Sequence, residues 1–347
     1  MPLYRPEPIL THDARTVDRT AAPRMAAAHL ASGGSLIVSD RYSTGGFILA
    51  QLHALLEPPP ADAPYRARQA FQRAYRQASM RLLAPISKHQ IALSDTPEIG
   101  FLKELYPERS TFVLPYVEVQ DLAAAWKRYH AGVPLAVVGH AVHPYYGTYV
   151  PTRTSHLELF GTWLSAYQGP RVNAIDVGTG CGVLALMLAR RGFEQILATD
   201  TNPNAVESVR REVRGLATDP PITAVQADLL GDGTEPVELV VFNPPWTRGR
   251  VDGLLDQALY YDDDGLFERF FEQALARLTP DGRVVFVFSN VTQLVQPDTP
   301  HPIEVELERG RFRLVQKLNR KVKAYVDKDG NRRSTRERVE VWELARA

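Results

Sequence analysis

A short apolar strand over residues 173–177 runs straight into Gly178-Thr179-Gly180-Cys181-Gly182 and then into a helix over residues 183–191, and this junction constrains the fold more than any other stretch of the chain. Glycines permit a sharp strand-to-helix turn, and their missing side chains let the backbone approach a ligand closely. The alternation then continues. Strands are expected at 195–199, 223–226, 237–242 and 283–289, with helices at 204–214 and 265–278 between them. Strands separated by helical crossovers lie parallel in one sheet with helices on both faces. The expected fold is therefore α/β, a Rossmann-like, mostly parallel sheet.

Open sheets of this kind bind ligands beyond the carboxyl ends of their strands, so the residues at those ends carry the chemistry. Asp176, Gly178, Thr179, Gly180 and Gly182 surround the first turn. A dinucleotide fingerprint would place its third glycine at Val183, so a nicotinamide cofactor fits less well. Asp200 ends the second strand, where a carboxylate can accept both hydroxyls of a ribose, although Asp200-Thr201-Asn202 could equally cap the next helix. Asp228, followed by Leu229, ends the third strand, where a side chain can meet an adenine amino group or simply make a turn. The fourth strand runs into Asn243-Pro244-Pro245-Trp246. Two prolines force a stiff, extended exit from the sheet and so present the Asn243 side-chain oxygen and the Pro244 carbonyl as two acceptors. Two acceptors suit a planar NH2 group, and Trp246 offers a flat face for an amide or a base.

These four elements in this order resemble the class I S-adenosylmethionine-dependent methyltransferases whose fourth strand ends in Asn-Pro-Pro-aromatic. The stretches Tyr149-Val150-Pro151-Thr152-Arg153 and Tyr261-Asp262-Asp263-Asp264-Gly265-Leu266 are similar to those of the release-factor glutamine methyltransferases in particular. The resemblance spans residues 146–288. Trp246 departs from that branch, which has tyrosine there, and so does Thr152. The resemblance implies S-adenosyl-L-methionine as cofactor. The glycine turn would hold its methionine part, Asp200 and Asn202 its ribose, Asp228 and Leu229 its adenine, with Tyr149, Pro151 and Thr152 closing the pocket. Asn243, Pro244 and Trp246 would hold the acceptor nitrogen.

Residues 1–145 are expected to form a substrate-recognition or lid domain, mainly helical with some strand, and residues 146–347 the methyltransferase domain. In the first, helices are expected at 47–56 and 67–82, the latter stopped by Pro85 and bearing Arg66, Arg68, Arg73, Arg76 and Arg81, and a further one at 120–129. Forty basic residues balance forty acidic ones, so bulk charge gives no attraction to nucleic acid or an anionic membrane. The lone Cys181 allows no internal disulfide, and prolines interrupt the first twenty residues where a secretory signal needs an apolar run, so a cytoplasmic protein without membrane spans is expected. His140 and His143 stand three apart, but Gly139, Pro144 and Gly147 argue against a helix there and nothing completes a metal site. The basic stretch 309–338 is expected to form the final hairpin, with Asp329-Gly330-Asn331 as its turn; its charges suit either RNA phosphates or protection of a sheet edge. Three acceptors stay open: a protein glutamine side chain, first in preference, an adenine or guanine amino group in RNA or DNA, or a small-molecule nitrogen. Oligomeric state is left open as well.

Overall fold

The computed structural model describes residues 2–10, 13–60, 63, 65–151, 153–217, 219–249, 258–322, 325–326, 332–333 and 336–347. The chain forms two compact units, Leu3–Arg128 and Tyr129–Ala347.

The first unit combines helices with a smaller sheet. Strands Arg15–Val17, Leu36–Val38 and Leu82–Ser87 run parallel, and Gln90–Ile91 and Phe112–Pro115 join the last of these antiparallel. Helices Pro23–Ala31, Tyr42–Leu55, Tyr65–Ser79 and Tyr116–Ala131 accompany this sheet. The helix expected to reach residue 82 stops at Ser79, and Pro85 lies inside a strand instead of ending a helix. The reason is burial: Leu82, Leu83, Ala84 and Ile86 are all at most 2% exposed, as in a strand covered on both faces, and an amphipathic helix cannot bury four neighbours. Of the arginines on the preceding helix, Arg76 pairs with Glu118 at 3.6 Å.

The second unit carries the expected sheet. Its strands are β1 Asn173–Val177, β2 Gln195–Asp200, β3 Ile222–Gln226, β4 Val237–Phe242, β5 Leu278–Ser289, β6 Phe312–Lys321 and β7 Arg338–Arg346, in the order β3-β2-β1-β4-β5-β7-β6. Strand β7 runs antiparallel to both its neighbours, and the pairs from β3 to β5 are parallel. Helices α1 Ser155–Ala166, α2 Val183–Arg190 and α3 Pro203–Gly215 cover one face, and α4 Leu266–Arg277 lies on the other. Side-chain alternation along β4 explains the two layers: Leu239 and Val241 enter the core with α1 to α3, while Val240 and Phe242 pack with Phe270 and Phe271 of α4. The hairpin of Val133–Leu135 and His140–Val142 adds Leu135, Val138 and Val142 to the first of these cores. Glu212 Oε1 lies 3.0 Å from His140 Nε2, and the same carboxylate accepts the His143 backbone N–H.

The final hairpin pairs β6 with β7 from Lys321↔Arg338 to Phe312↔Arg346, and its expected turn at 329–331 lies outside the described residues. Three of its basic residues have structural partners. Lys317 lies 3.6 Å above the Trp342 ring and 3.2 Å from Glu340, Arg320 reaches Glu158 at 3.2 Å, and Arg338 donates to Asn319. Among the described residues no helix is long and apolar enough to cross a membrane.

Candidate functional site

Register places the two turns side by side. Val177, the last residue before the glycine turn, pairs with Phe242, the last before the proline turn, and with Thr199, next to Asp200. Asp200 in turn pairs with Gln226, two residues before Asp228. All four strands thus end at one rim, which opens into a cavity of about 340 Å3, the size of a small-ligand site. Tyr149, Pro151, Asp176, Gly178, Thr179, Gly180, Asp200, Asn202, Asp228, Leu229 and Asn243 all line it. A second cavity of about 400 Å3 is lined by Pro244 and Trp246, and it shares Tyr149, His156, Asn243, Ala258 and Tyr260 with the first. Thr152 lies outside the described residues.

The glycine turn is held by its own backbone. Gly180 (φ 54°) and Gly182 (φ 83°) occupy the left-handed region, and a Cβ on Gly182 would stand 3.0 Å from Val209 Cγ2. Thr179 N–H donates to Thr199 O, tying the turn to β2. Asp176, 1% exposed, accepts through Oδ2 from Thr179 Oγ1 at 2.7 Å and from the Ala185 N–H at 3.0 Å. Its other oxygen, Oδ1, is buried without a protein partner, and burial, reinforced by nearby Asp200, pushes its carboxyl up to about 7. A buried, half-satisfied carboxylate at the edge of a cavity suits a cationic ligand group. Asp200 is likewise pushed up by burial and accepts the Gly180 and Asn202 N–H groups, both at 2.9 Å.

Asn202 serves the scaffold with its side chain: Oδ1 caps α3 through the Asn204 N–H, and Nδ2 donates to Gly147 O. Asn204 and Ser208, both fully buried, bond to the backbone of Tyr146 and Tyr145. Together these bonds strap residues 145–148 to α3, and the Tyr149 carbonyl lies 3.7 Å from where a Cβ of Gly180 would be. Leu229 has φ 49° and its carbonyl accepts from Thr199 Oγ1, whereas Asp228 is exposed, with Arg269 at 3.7 Å.

The proline turn differs from its expected form in one respect. Trp246 does not stand free: its Nε1 donates to Asn243 Oδ1 at 3.1 Å and to Val287 O at 3.3 Å, and its carbonyl accepts from Thr292 Oγ1. An indole N–H only donates, so the carboxamide atom facing it is the oxygen, and Trp246 fixes which way Asn243 points. Across the ring stands His156, edge-on at 5.2 Å and 89°, only 3% exposed. Neither this histidine nor Tyr260 and Ala258 was expected at the site; His156 opens an ordinary apolar helix, and no local pattern marks it. Tyr261, Asp262 and Asp263, from the stretch similar to the family's acidic element, also line the first cavity.

Residues 162–315 match the methyltransferase small domain. The chain is 34% identical over 171 residues to ribosomal RNA small subunit methyltransferase C of Chromohalobacter salexigens, covering 47% of this chain and 44% of that one. It is 34% identical over 145 residues to ribosomal protein L11 methyltransferase of Bacillus cereus, covering 37% of this chain and 46% of that one. To the L11 methyltransferase of Geobacillus kaustophilus it is 24% identical over 288 residues, covering 78% and 84%. The chain thus spans less than half the length of the first two relatives. The matched stretch 162–315 lies within the second unit and holds the glycine turn and the proline turn.

Proposed function

We propose that this protein transfers a methyl group from S-adenosyl-L-methionine to a planar nitrogen, and that the acceptor is the side-chain amide of a protein glutamine. The observation that carries the reading is the sharing of Asn243 between two adjoining cavities, one at the glycine turn and one at the tryptophan. When bound, the cofactor supplies an activated methyl group on a sulfonium. Asp176 would hold its cationic amino group and Asp200 and Asn202 its ribose side, with Asp228 and Leu229 at the adenine side and Tyr149 and Pro151 as cover. The unpartnered Asp176 Oδ1 and the open left-handed turn at Gly180 both fit this group.

Asn243 and the Pro244 carbonyl would orient the acceptor NH2, with Trp246 holding the Asn243 carboxamide and walling the acceptor cavity. Oriented acceptors favour the positive charge that grows on nitrogen during transfer. The rim carries three carboxylates, Asp228, Asp262 and Asp263, against the cation Arg269 that pairs with Asp228 and Asp263, a net negative balance that would repel a phosphodiester chain more than a peptide, and Lys317, Arg320 and Arg338 already have partners. Two of the relatives carry ribosomal protein L11 in their names, which supports a protein acceptor. A second reading, an amino group on an RNA base, draws on the aromatic wall of Tyr149, Trp246 and Tyr260 and on the ribosomal RNA methyltransferase among the relatives.

The test is incubation with methyl-labelled cofactor in cell extract, followed by separate nuclease and protease digestion. Label released by protease and recovered as N-methylglutamine is the expected result. Release by nuclease replaces the glutamine reading with the base, and no transferred label together with no calorimetric binding of S-adenosylmethionine removes both.

A further inference from the structure

We propose that His156 is the proton acceptor for the methylated nitrogen, an assignment that rests on the N-methyltransferase reading above. His156 lines both cavities, and so lies where their contents must meet. Its ring touches Trp246 edge-on, and among the described residues neither ring nitrogen has a hydrogen-bond partner. Yet neither nitrogen is among the sealed, unsatisfied atoms of the interior, as both ring nitrogens of His301 are, so the His156 imidazole has access to cavity space. A histidine kept 3% exposed solely to pack against a tryptophan has no need of that access.

Its charge state suits the task. Burial holds the imidazole down to about 4, with Glu158 on the same helix pulling weakly the other way, so the ring is neutral at physiological pH and carries a free lone pair. The other ionisable groups lining the two cavities are Tyr149, Tyr260, Arg153 and Glu337 beside the acceptor, and Cys181, Tyr261 and the carboxylates of the first cavity. Arg153 and Glu337 are bonded to each other at 2.9 Å.

The step balances. As the nitrogen–carbon bond forms, the carbon–sulfur bond breaks and its electron pair stays on sulfur, leaving a neutral thioether and a positively charged acceptor nitrogen. That nitrogen loses an N–H proton to the imidazole, recovers the bonding pair, and becomes the neutral N-methyl product. A protonated amide or arylamine nitrogen is far more acidic than an imidazolium, so even a weakly basic ring accepts the proton. The imidazolium then returns it to water through the cavity.

The experiment compares His156→Phe, which keeps ring packing without a lone pair, with wild type and with Asn243→Ala, using labelled S-adenosylmethionine and extract. The Phe variant is expected to bind S-adenosylmethionine by calorimetry within about threefold and to lose at least ~30-fold in label transfer, within the range for positioned acid–base groups. His156→Ala is expected to regain transfer with added imidazoles, faster with the more basic ones. In cofactor-free protein, 15N NMR of the histidine rings is expected to show His156 neutral from pH 7 to about 5.

Transfer by His156→Phe within threefold of wild type, a rescue indifferent to basicity, or a charged His156 ring at pH 7 each overturns the assignment. Asn243→Ala separates the two levels: if it is inactive while His156→Phe is active, only the histidine assignment falls, and if both methylate normally the underlying reading falls with it. Should the Phe variant fail to fold, the NMR state of the wild-type ring and the rescue series decide.

Discussion

The glycine turn and the proline turn leave adjacent strands at paired residues, yet they are held in different ways. At the glycine turn, carboxylates are fixed by backbone N–H groups: Asp176 by Ala185, nine residues on, and Asp200 by Asn202, two residues on, and by Gly180, 20 residues back. At the proline turn, Asn243 is fixed by the Trp246 side chain, which depends on Val287 and Thr292, 41 and 46 positions along the chain. The first arrangement tolerates side-chain change around it because the backbone sets the geometry. The second is a relay of side chains, in which each member depends on the next. Cofactor binding should therefore survive damage that abolishes transfer.

The largest effect that could break this contrast belongs to Asn243→Ala. Transfer should fall by at least about 100-fold, the order seen when one preorganised polar group is removed from a reacting centre, with S-adenosylmethionine binding unchanged. Binding lost in parallel would mean that the two turns act as one unit. Trp246→Phe keeps a ring but deletes the indole N–H. Transfer should drop on the order of tenfold, about 1.4 kcal/mol, as for one net hydrogen bond, while calorimetric affinity holds. A Phe variant as active as wild type would show that Asn243 needs no guide.

The glycine turn offers the pH test. Asp176 is pushed up from 3.8 to about 7, chiefly by burial, so between roughly pH 4 and 7 the folded protein binds more protons than the unfolded chain, and this contribution to stability is lost as pH rises through that window. A cation beside Oδ1 favours the carboxylate instead. S-adenosylmethionine binding should then release a proton at pH 6 and tighten towards pH 7, which calorimetry in two buffers of different ionisation heat measures directly. Proton uptake, or none, would remove Asp176 from the cation site.

The smallest effect serves as a control away from both turns. His301 lies between Phe288 and Trp342 with neither ring nitrogen bonded, and burial, with Lys317 nearby, holds it down to about 4. Because its folded value is depressed below 6.5, stability present above that pH is lost as pH falls towards 4. His301→Phe should leave transfer intact and raise stability by about 1 kcal/mol, more at pH 5 than at pH 7.5 in thermal melts, since a buried polar ring that makes no hydrogen bond and stands 3.7 Å from Glu340 is removed. A destabilised variant would reveal a partner that the ring depends on.

Strand-helix alternation, the glycines and the carboxylates at strand ends are written locally, because period, turn conformation and chain direction depend on near neighbours. For that reason the Rossmann-like sheet and the strand-end part of the first cavity's lining, Asp176, Gly178, Asp200, Asp228 and Asn243, were legible in the residues. The first unit was less so: the strand through Pro85 forms because its neighbours bury both of its faces, a choice made by packing rather than propensity. The straps from Asn204 and Ser208, the bond that aims Asn243, and the histidine shared by the two cavities exist only once distant segments meet. Side-chain contacts across many residues leave no period in a sequence, so tertiary structure alone decided them.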